Sequence, residues 1–472
     1  MTTRKTQALV IGAGPGGYVA AIRLGQLGIQ TLVVDKAALG GTCLNVGCIP
    51  SKAMITAAKF ADKARHAESM GIKVGSVEVD MPGVIRWKDD VVKKLVGGVG
   101  TLLKGHGIEV LNGRATFRGP KTVEVMTEKG PVTVEADHTI IATGSIPLAI
   151  PGFVPDGQRI IDSTGALALT SLPNRMVVIG GGYIGLELGT AYAKLGTKVT
   201  VLEGTDQLLP GFDPEIAKLI ERKLKKLGVE IVLKAKAKGW SEGINGVAVQ
   251  YEADGGTKTA VCDKVLVTVG RKPYSEGLGL EAAGLTVDAK GFITVDNQMR
   301  TQVPGIYCIG DLAGQPMLAH KASREGEVAA EVIAGRPSAM DARTIPAVVF
   351  TDPEIATAGI MEHEAKAQGL DVHVGKFPFA ALGRALTTQE TDGFFKVVLD
   401  RKTEEILGVA IVGPNASDLI AEATLAIEMG ALFDDLALTI HAHPTLPEGL
   451  KEAVLAAKGE AIHALSAPMA RA

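Results

Sequence analysis

Two stretches of this chain follow one plan. Each has a short apolar strand, a turn written Gly-x-Gly-x-x-Gly, a helical run, and a second strand closing on a carboxylate. The first is ALVIGAGPGGYVAAIRLGQLGIQTLVVDK (8–36) and the second RMVVIGGGYIGLELGTAYAKLGTKVTVLEG (175–204). In the first, Gly12 permits the tight turn, Gly14 lets a pyrophosphate approach the backbone, and Gly17 lets helix and strand pack closely. Pro15 suits the opening of the helix, where a missing N–H is no loss. A diphosphate at that helix start meets unpaired N–H groups and the positive end of the dipole. In the second, Gly180, Gly182 and Gly185 repeat the turn, with Ile184 inside it. Asp35 and Glu203 each follow their first glycine by 23 positions, where a carboxylate can take ribose hydroxyls. One such turn is weak evidence. Two with matched strands, helices and acids predict a pair of dinucleotide-binding units.

Both units also close alike, in TIIATGSIP (139–147) and VLVTVGRKP (265–273), and a third strand-turn, GIYCIGDLAG (305–314), lies beyond the second. That order predicts an α/β protein with two Rossmann-like domains, one inserted in the other. The first nucleotide domain would span 1–147 and resume at 273–344, and the inserted one would span 148–272. An α+β domain would follow at 345–472, where strand-rich AVVFTDPEIATAGI and GFFKVVLDRKTEEILGVAIVG stand. A length of 472 residues suits about three domains at ~150 residues each. The 58 glycines exceed the usual share of roughly 7%, as many tight strand-to-helix turns require.

A net charge of −3 gives no general attraction to nucleic acid or to an anionic membrane. No apolar run reaches the ~18 residues of a spanning helix. The opening, MTTRKTQALVIGAG, passes from a short polar tail straight into a strand, so a cytosolic protein is expected. Cys262 and Cys308 sit in apolar strand-like runs as buried thiols.

The other two cysteines stand close together in GGTCLNVGCIPSK (40–52). A structural staple, a zinc site and a redox pair compete for them. So short a loop removes little chain entropy, and zinc would want a second ligand pair. In a reducing cytosol a disulfide is more often catalytic or redox-sensing. Residues five apart on an ideal helix differ by about 140° and lie beyond the ~7 Å bridging limit. Cys43 and Cys48 therefore cannot pair within one regular helix. Pro50 marks Cys48 as the start of a helix and puts Cys43 in a distorted turn before it. There the helix dipole and Lys52 would favour thiolate at Cys48.

Taken together, GGTCLNVGCIPSK and the two nucleotide units resemble the flavin-dependent disulfide oxidoreductases, in their lipoamide-oxidising branch, over essentially the whole chain. The resemblance implies a redox-active Cys43–Cys48 disulfide against FAD, with FAD in the first unit and NAD in the second. It implies FAD contacts at Gly12, Gly14, Gly17, Asp35, Lys52, Gly113, Thr143, Gly144, Ser145 and Asp311. Met317, Leu318, Ala319 and His320, in MLAHKASREG, would meet the flavin at a helix start. Gly180, Gly182, Ile184, Gly185, Glu203 and Gly270 would serve NAD, and Lys52 and Glu187 would form an ion pair beside the flavin. Glutathione-type relatives use NADPH and would want cations after Glu203, whereas GTDQLLPGFD (204–213) has none.

Dithiol oxidation needs a base near neutral pH, which histidine supplies. HAHPTLPEGL (441–450) offers His443 with Glu448 to orient it, and His441 reads as structural. Pro447 departs from the family pattern, which has a small residue there. The resemblance further implies a homodimer in which His443 acts across the interface. It also implies partners that bear lipoyl groups, including the E2 core of a 2-oxo acid dehydrogenase complex or a glycine-cleavage system, and no metal.

Overall fold

The apolar end of β1 (Thr2–Ile11) is buried on both faces, and alternation decides what each residue meets. Ala8 and Val10 join one cluster, with Ala20 and Leu24 of α1 (Pro15–Gln26). Leu9 and Ile11 join the opposite cluster, with Leu32 and Val34 of β2 (Thr31–Asp35). A strand apolar on both faces belongs inside a parallel sheet, and β1 pairs in parallel with β2, Ala8 against Thr31 through Ile11 against Val34. The computed structural model in which these elements are seen describes residues 2–243 and 246–465.

After β2 the chain forms α2 (Gly41–Val46), α3 (Cys48–Arg65) and α4 (Met81–Gly105), then rejoins the sheet as β3 (Glu109–Asn112) beside β2. A meander follows through β4 (Arg114–Gly119), β5 (Thr122–Thr127) and β6 (Gly130–Ile141). From Val132 to Ile141, β6 runs in parallel alongside β1, giving the order β3-β2-β1-β6-β5-β4. Strand Ile306–Cys308, from far along the chain, adds in parallel to the end of β6. The first sheet is thus completed by a strand that follows the second one in sequence.

Contacts divide the chain into two units. Residues up to 172 belong with 266–341, and 173–265 belong with 342 onward. In the second unit, strands Arg175–Ile179, Lys198–Leu202 and Glu230–Val232 pair in parallel, and helix Tyr183–Leu195 rises from the second glycine turn. Strands Lys236–Gly243, Gly246–Ala253 and Gly256–Cys262 make a small antiparallel sheet. The C-terminal part is a five-stranded antiparallel sheet backed by helices Ala416–Met429 and Glu448–Ala457. Its core gathers Phe377, Phe379, Phe395, Ile411, Leu450 and Val454, with the Phe379 and Phe395 rings stacked at 4.6 Å. Each such side chain contributes roughly 1.5–3 kcal/mol by leaving water. Among the described residues no helix is long and apolar enough to cross a membrane.

Candidate functional site

In the first unit the glycine turn carries the cysteine pair. Gly12 sits at φ +105°, and a Cβ there would lie 2.3 Å from the Ala142 carbonyl oxygen, so only glycine closes this turn. Gly40 N–H donates to Ala13 O at 2.8 Å. A Cβ on Gly41 would come within 2.6 Å of Gly14 Cα. The backbone leading to Cys43 is therefore fixed directly on the glycine turn. Cys43 lies in α2, a six-residue helix, where the sequence suggested an irregular turn. The left-handed Gly40 before it and the break at Gly47 after it leave room for that extra turn of helix. Cys48 is the first residue of α3, as Pro50 indicated.

Cys43 and Cys48 stand as thiols, hydrogen-bonded side chain to side chain. That bond, burial and the charge Cys48 can carry together hold the Cys43 thiol far above the usual range, and Lys52 only partly offsets them. Two thiolates side by side repel, so the pair gives up one proton more readily than two. Tyr18 of α1 lies near enough that burial, then negative charge on Cys43, raise its hydroxyl pKa. Nothing in the sequence marked Tyr18.

Asp35 is tied into the glycine turn. Its Oδ2 accepts Ala13 N–H at 2.6 Å and its Oδ1 accepts Ala37 N–H at 2.8 Å. In the second unit Glu203 repeats both bonds, with Gly181 N–H at 2.6 Å and Thr205 N–H at 2.7 Å. Each acid ties its glycine turn to the strand that bears it. A cavity beside Asp35 is lined by Gly12, Lys36, Gly113, Arg114, Thr143 and Tyr274. Lys36 Nζ sits 3.8 Å over the Tyr274 ring, and its hydrogen bond lowers the tyrosine pKa. Thr143 Oγ1 donates to Tyr274 O at 2.7 Å, and Tyr274 N–H donates to Gly144 O at 2.9 Å.

Farther along the same unit, Ser145 Oγ donates to Asp311 Oδ2 at 2.5 Å, and Arg271 Nε donates to Ser145 Oγ at 2.7 Å. Helix Ala319–Ile333 begins just beyond Met317 and Leu318, with Leu318 at its N-cap and His320 in its first turn. A cavity lined by the carboxylates Asp35 and Glu276, the cations Lys36 and Arg114, and a turn that admits only glycine offers the donor set a flavin dinucleotide needs. Lys36, Arg114, Tyr274 and Arg271 escaped the sequence reading. Gly270 falls with this first unit, and its carbonyl accepts Leu148 N–H at 3.0 Å.

In the second unit, Gly180 N–H donates to Leu202 O at 2.9 Å and Gly182 O accepts Leu186 N–H at 3.0 Å, opening the helix that holds Ile184, Gly185 and Glu187. Glu187 is buried, and its Oε1 accepts Phe350 N–H at 2.9 Å. Lys52 belongs to the first unit and Glu187 to the second.

His443 Nδ1 lies 2.9 Å from Glu448 Oε1, and Glu448 Oε2 accepts Thr445 N–H at 2.8 Å. Burial opposes ionisation of Glu448, but Thr445 and His443 outweigh it and hold the carboxyl below the usual range. Pro447 caps the helix that Glu448 opens and leaves the dyad intact. His441 instead pairs with Glu422 at 2.8 Å. With Nδ1 engaged, Nε2 of the exposed His443 is the nitrogen left to take a proton.

Residues 6–326 match the family model described as pyridine nucleotide-disulphide oxidoreductase, and 345–454 match its dimerisation domain. Curated relatives include the dihydrolipoyl dehydrogenase of Geobacillus stearothermophilus, 55% identical over 462 residues and 98% of each chain. That of Bacillus subtilis is 52% identical over 460 residues, 97% of this chain and 98% of its own. Among solved structures, LpdA from Mycobacterium tuberculosis superposes with a TM-score of 0.89 at 30% identity, over 95% of this chain and 99% of its own. The HOCl-induced flavoprotein disulfide reductase RclA from Escherichia coli gives 0.85 at 28% identity, again over 95% and 99%.

Proposed function

The chain belongs to the pyridine nucleotide-disulphide oxidoreductases, and on that premise we propose that it oxidises protein-bound dihydrolipoyl groups and reduces NAD⁺. It would do so as the E3 component of a 2-oxo acid dehydrogenase complex or a glycine-cleavage system. One observation supports this reading above the others: two hydrogen-bonded sulfurs on either side of a helix break, fixed to the nucleotide turn through Gly40 and Gly41.

Gly12, Asp35, Lys36, Arg114 and Asp311 would hold FAD. Bound there, FAD would supply the two-electron redox chemistry that links the sulfur pair to NAD⁺. His443, oriented by Glu448, deprotonates one substrate thiol. The resulting thiolate attacks Cys43 of the oxidised pair, the Cys43–Cys48 bond breaks, and Cys48 leaves as a thiolate. The second substrate thiol then attacks the substrate sulfur of the mixed disulfide, closing the lipoyl ring and releasing Cys43. The thiolate left on Cys48 would sit one helical turn from Lys52 on the same helix, whose charge favours it. Overall one dithiol and NAD⁺ become one disulfide, NADH and a proton.

Glu203, with no cation between residues 204 and 213, favours NAD over its 2′-phosphorylated form. The dimerisation domain makes a homodimer the working unit, and His443 would come from the second copy. A cytosolic setting suits a disulfide that must open and reclose. The test is anaerobic titration of the purified protein with a small dithiol. A long-wavelength absorption band at two-electron reduction, lost in Cys48→Ser together with NAD-dependent turnover, is expected. Colourless protein unable to take up flavin would overturn the reading.

A further inference from the structure

Lys321 and Glu325, one turn apart on helix Ala319–Ile333, form an ion pair at 2.9 Å with side chains 7% and 5% exposed. Replacing such a buried pair by apolar residues of similar volume is often neutral or stabilising, so stability alone explains its presence poorly. The remaining bonds of both side chains converge on one loop. Glu325 Oε2 accepts Gly310 N–H at 2.7 Å, and Lys321 Nζ donates to Gly314 O at 3.0 Å and to Gly310 O at 3.5 Å. Gly310 is left-handed, at φ +74°, and opens the short turn that presents Asp311. Asp311 is in turn held by Ser145. Burial raises the Glu325 pKa, while Lys321 and the Gly310 N–H pull it back toward ionisation.

From this geometry we infer that Lys321 and Glu325 are positioning residues that preset the Gly310–Gly314 loop, so that Asp311 meets the polyol chain of the flavin nucleotide without reorganisation. The inference rests on the flavin reading given above. Pre-organisation of this kind strengthens binding by lowering the ordering cost. Neither side chain has to touch the ligand.

The test compares wild type with the doubly apolar variant Lys321→Met, Glu325→Leu, which removes both charges together. Each protein is stripped of flavin and titrated with FAD, and the flavin-free forms are melted in parallel. The variant is expected to melt close to wild type yet bind FAD about tenfold or more weakly, the factor lost with one charged hydrogen bond. An affinity within twofold of wild type would overturn the inference alone. Wild type that takes up no FAD would overturn the flavin reading as well. Should the variant fail to fold, hydrogen exchange on flavin-free wild type decides. A Gly310 amide protected without FAD supports the preset loop, and exchange at the rate of an open loop refutes it.

Discussion

The carboxylate of Glu448 is shared, with one oxygen 2.9 Å from His443 Nδ1 and the other taken by the Thr445 backbone at 2.8 Å. The second bond fixes the carboxylate, so the first can fix the imidazole tautomer. Glu448→Gln keeps the shape but can present its amide nitrogen to the ring. Turnover with dihydrolipoamide should fall by roughly 10²–10⁴, the range general-base catalysis supplies. Because the two residues act as a unit, adding Glu448→Gln to His443→Gln should cost little more than His443→Gln alone. Full additivity in steady-state kinetics would argue against the dyad.

Two glycines of the first turn should fail in different ways. A Cβ at position 12 would strike the Ala142 carbonyl at φ +105°, whereas at position 14 its nearest neighbour is Gly41 Cα at 4.0 Å. Gly12→Ala should therefore weaken the fold and lose flavin together, with strain of about 1–3 kcal/mol. With flavin removed from both, Gly14→Ala should melt like wild type, yet it should not take flavin up again, because the new methyl stands where a pyrophosphate must approach. Flavin absorbance per chain, set beside thermal melting, separates the two. A fully flavinated Gly14→Ala protein would remove the pyrophosphate from this turn.

Lys396 and Asp213 are each 4% exposed and lie 3.0 Å apart, and Lys396 also meets Glu215 and Glu362. Lys396→Met removes the cation these carboxylates share but leaves Asp213 with His363, Glu215 with Lys376 and Glu362 with Lys366, and should cost about 1–3 kcal/mol. Burial opposes ionisation of Asp213, but Lys396 and His363 outweigh it and depress its pKa. A carboxyl ionising below its unfolded value near 3.9 binds its proton more tightly when unfolded. Its contribution is thus present above about pH 4 and lost as pH falls through the lower native value. The cost of Lys396→Met, read from denaturant midpoints, should be larger at pH 7 than at pH 3. An equal cost at both would contradict the ionic account.

What the sequence disclosed was local. Strands, glycine turns, Asp35, Glu203 and the His443–Glu448 dyad all lie within short, regular spacings, where periodicity and cap chemistry act. The misses are tertiary. Arg271 reaches Ser145 across 126 residues, and the ties of Asp35 and Glu203 end on backbone N–H groups that no side-chain pattern reveals. Lys321 and Glu325 stood in plain view at helical spacing, but spacing alone does not distinguish a buried pair from a solvated one. The six-residue helix around Cys43 depended on breaks at Gly40 and Gly47, whose dihedral angles the residue names leave open.

Glu203 offers the sharpest test because one carboxylate would do two jobs. It is buried, and it holds Gly181 N–H at 2.6 Å and Thr205 N–H at 2.7 Å. Leu209 N–H grips the Gly181 carbonyl from the other side at 2.9 Å. A carboxylate that served only to repel a 2′-phosphate could be removed to relax cofactor choice. Here its removal also unmakes the turn. Glu203→Ala should lower kcat/KM for NAD by roughly 10- to 100-fold, the loss expected when a buried N–H is left unpaired. It should also leave NADP a poor substrate, since residues 204–213 supply no cation for the phosphate. Initial rates with both nucleotides decide the matter. A variant that gained NADP activity while keeping its NAD kinetics would show that the acid merely selects and does not also build the turn.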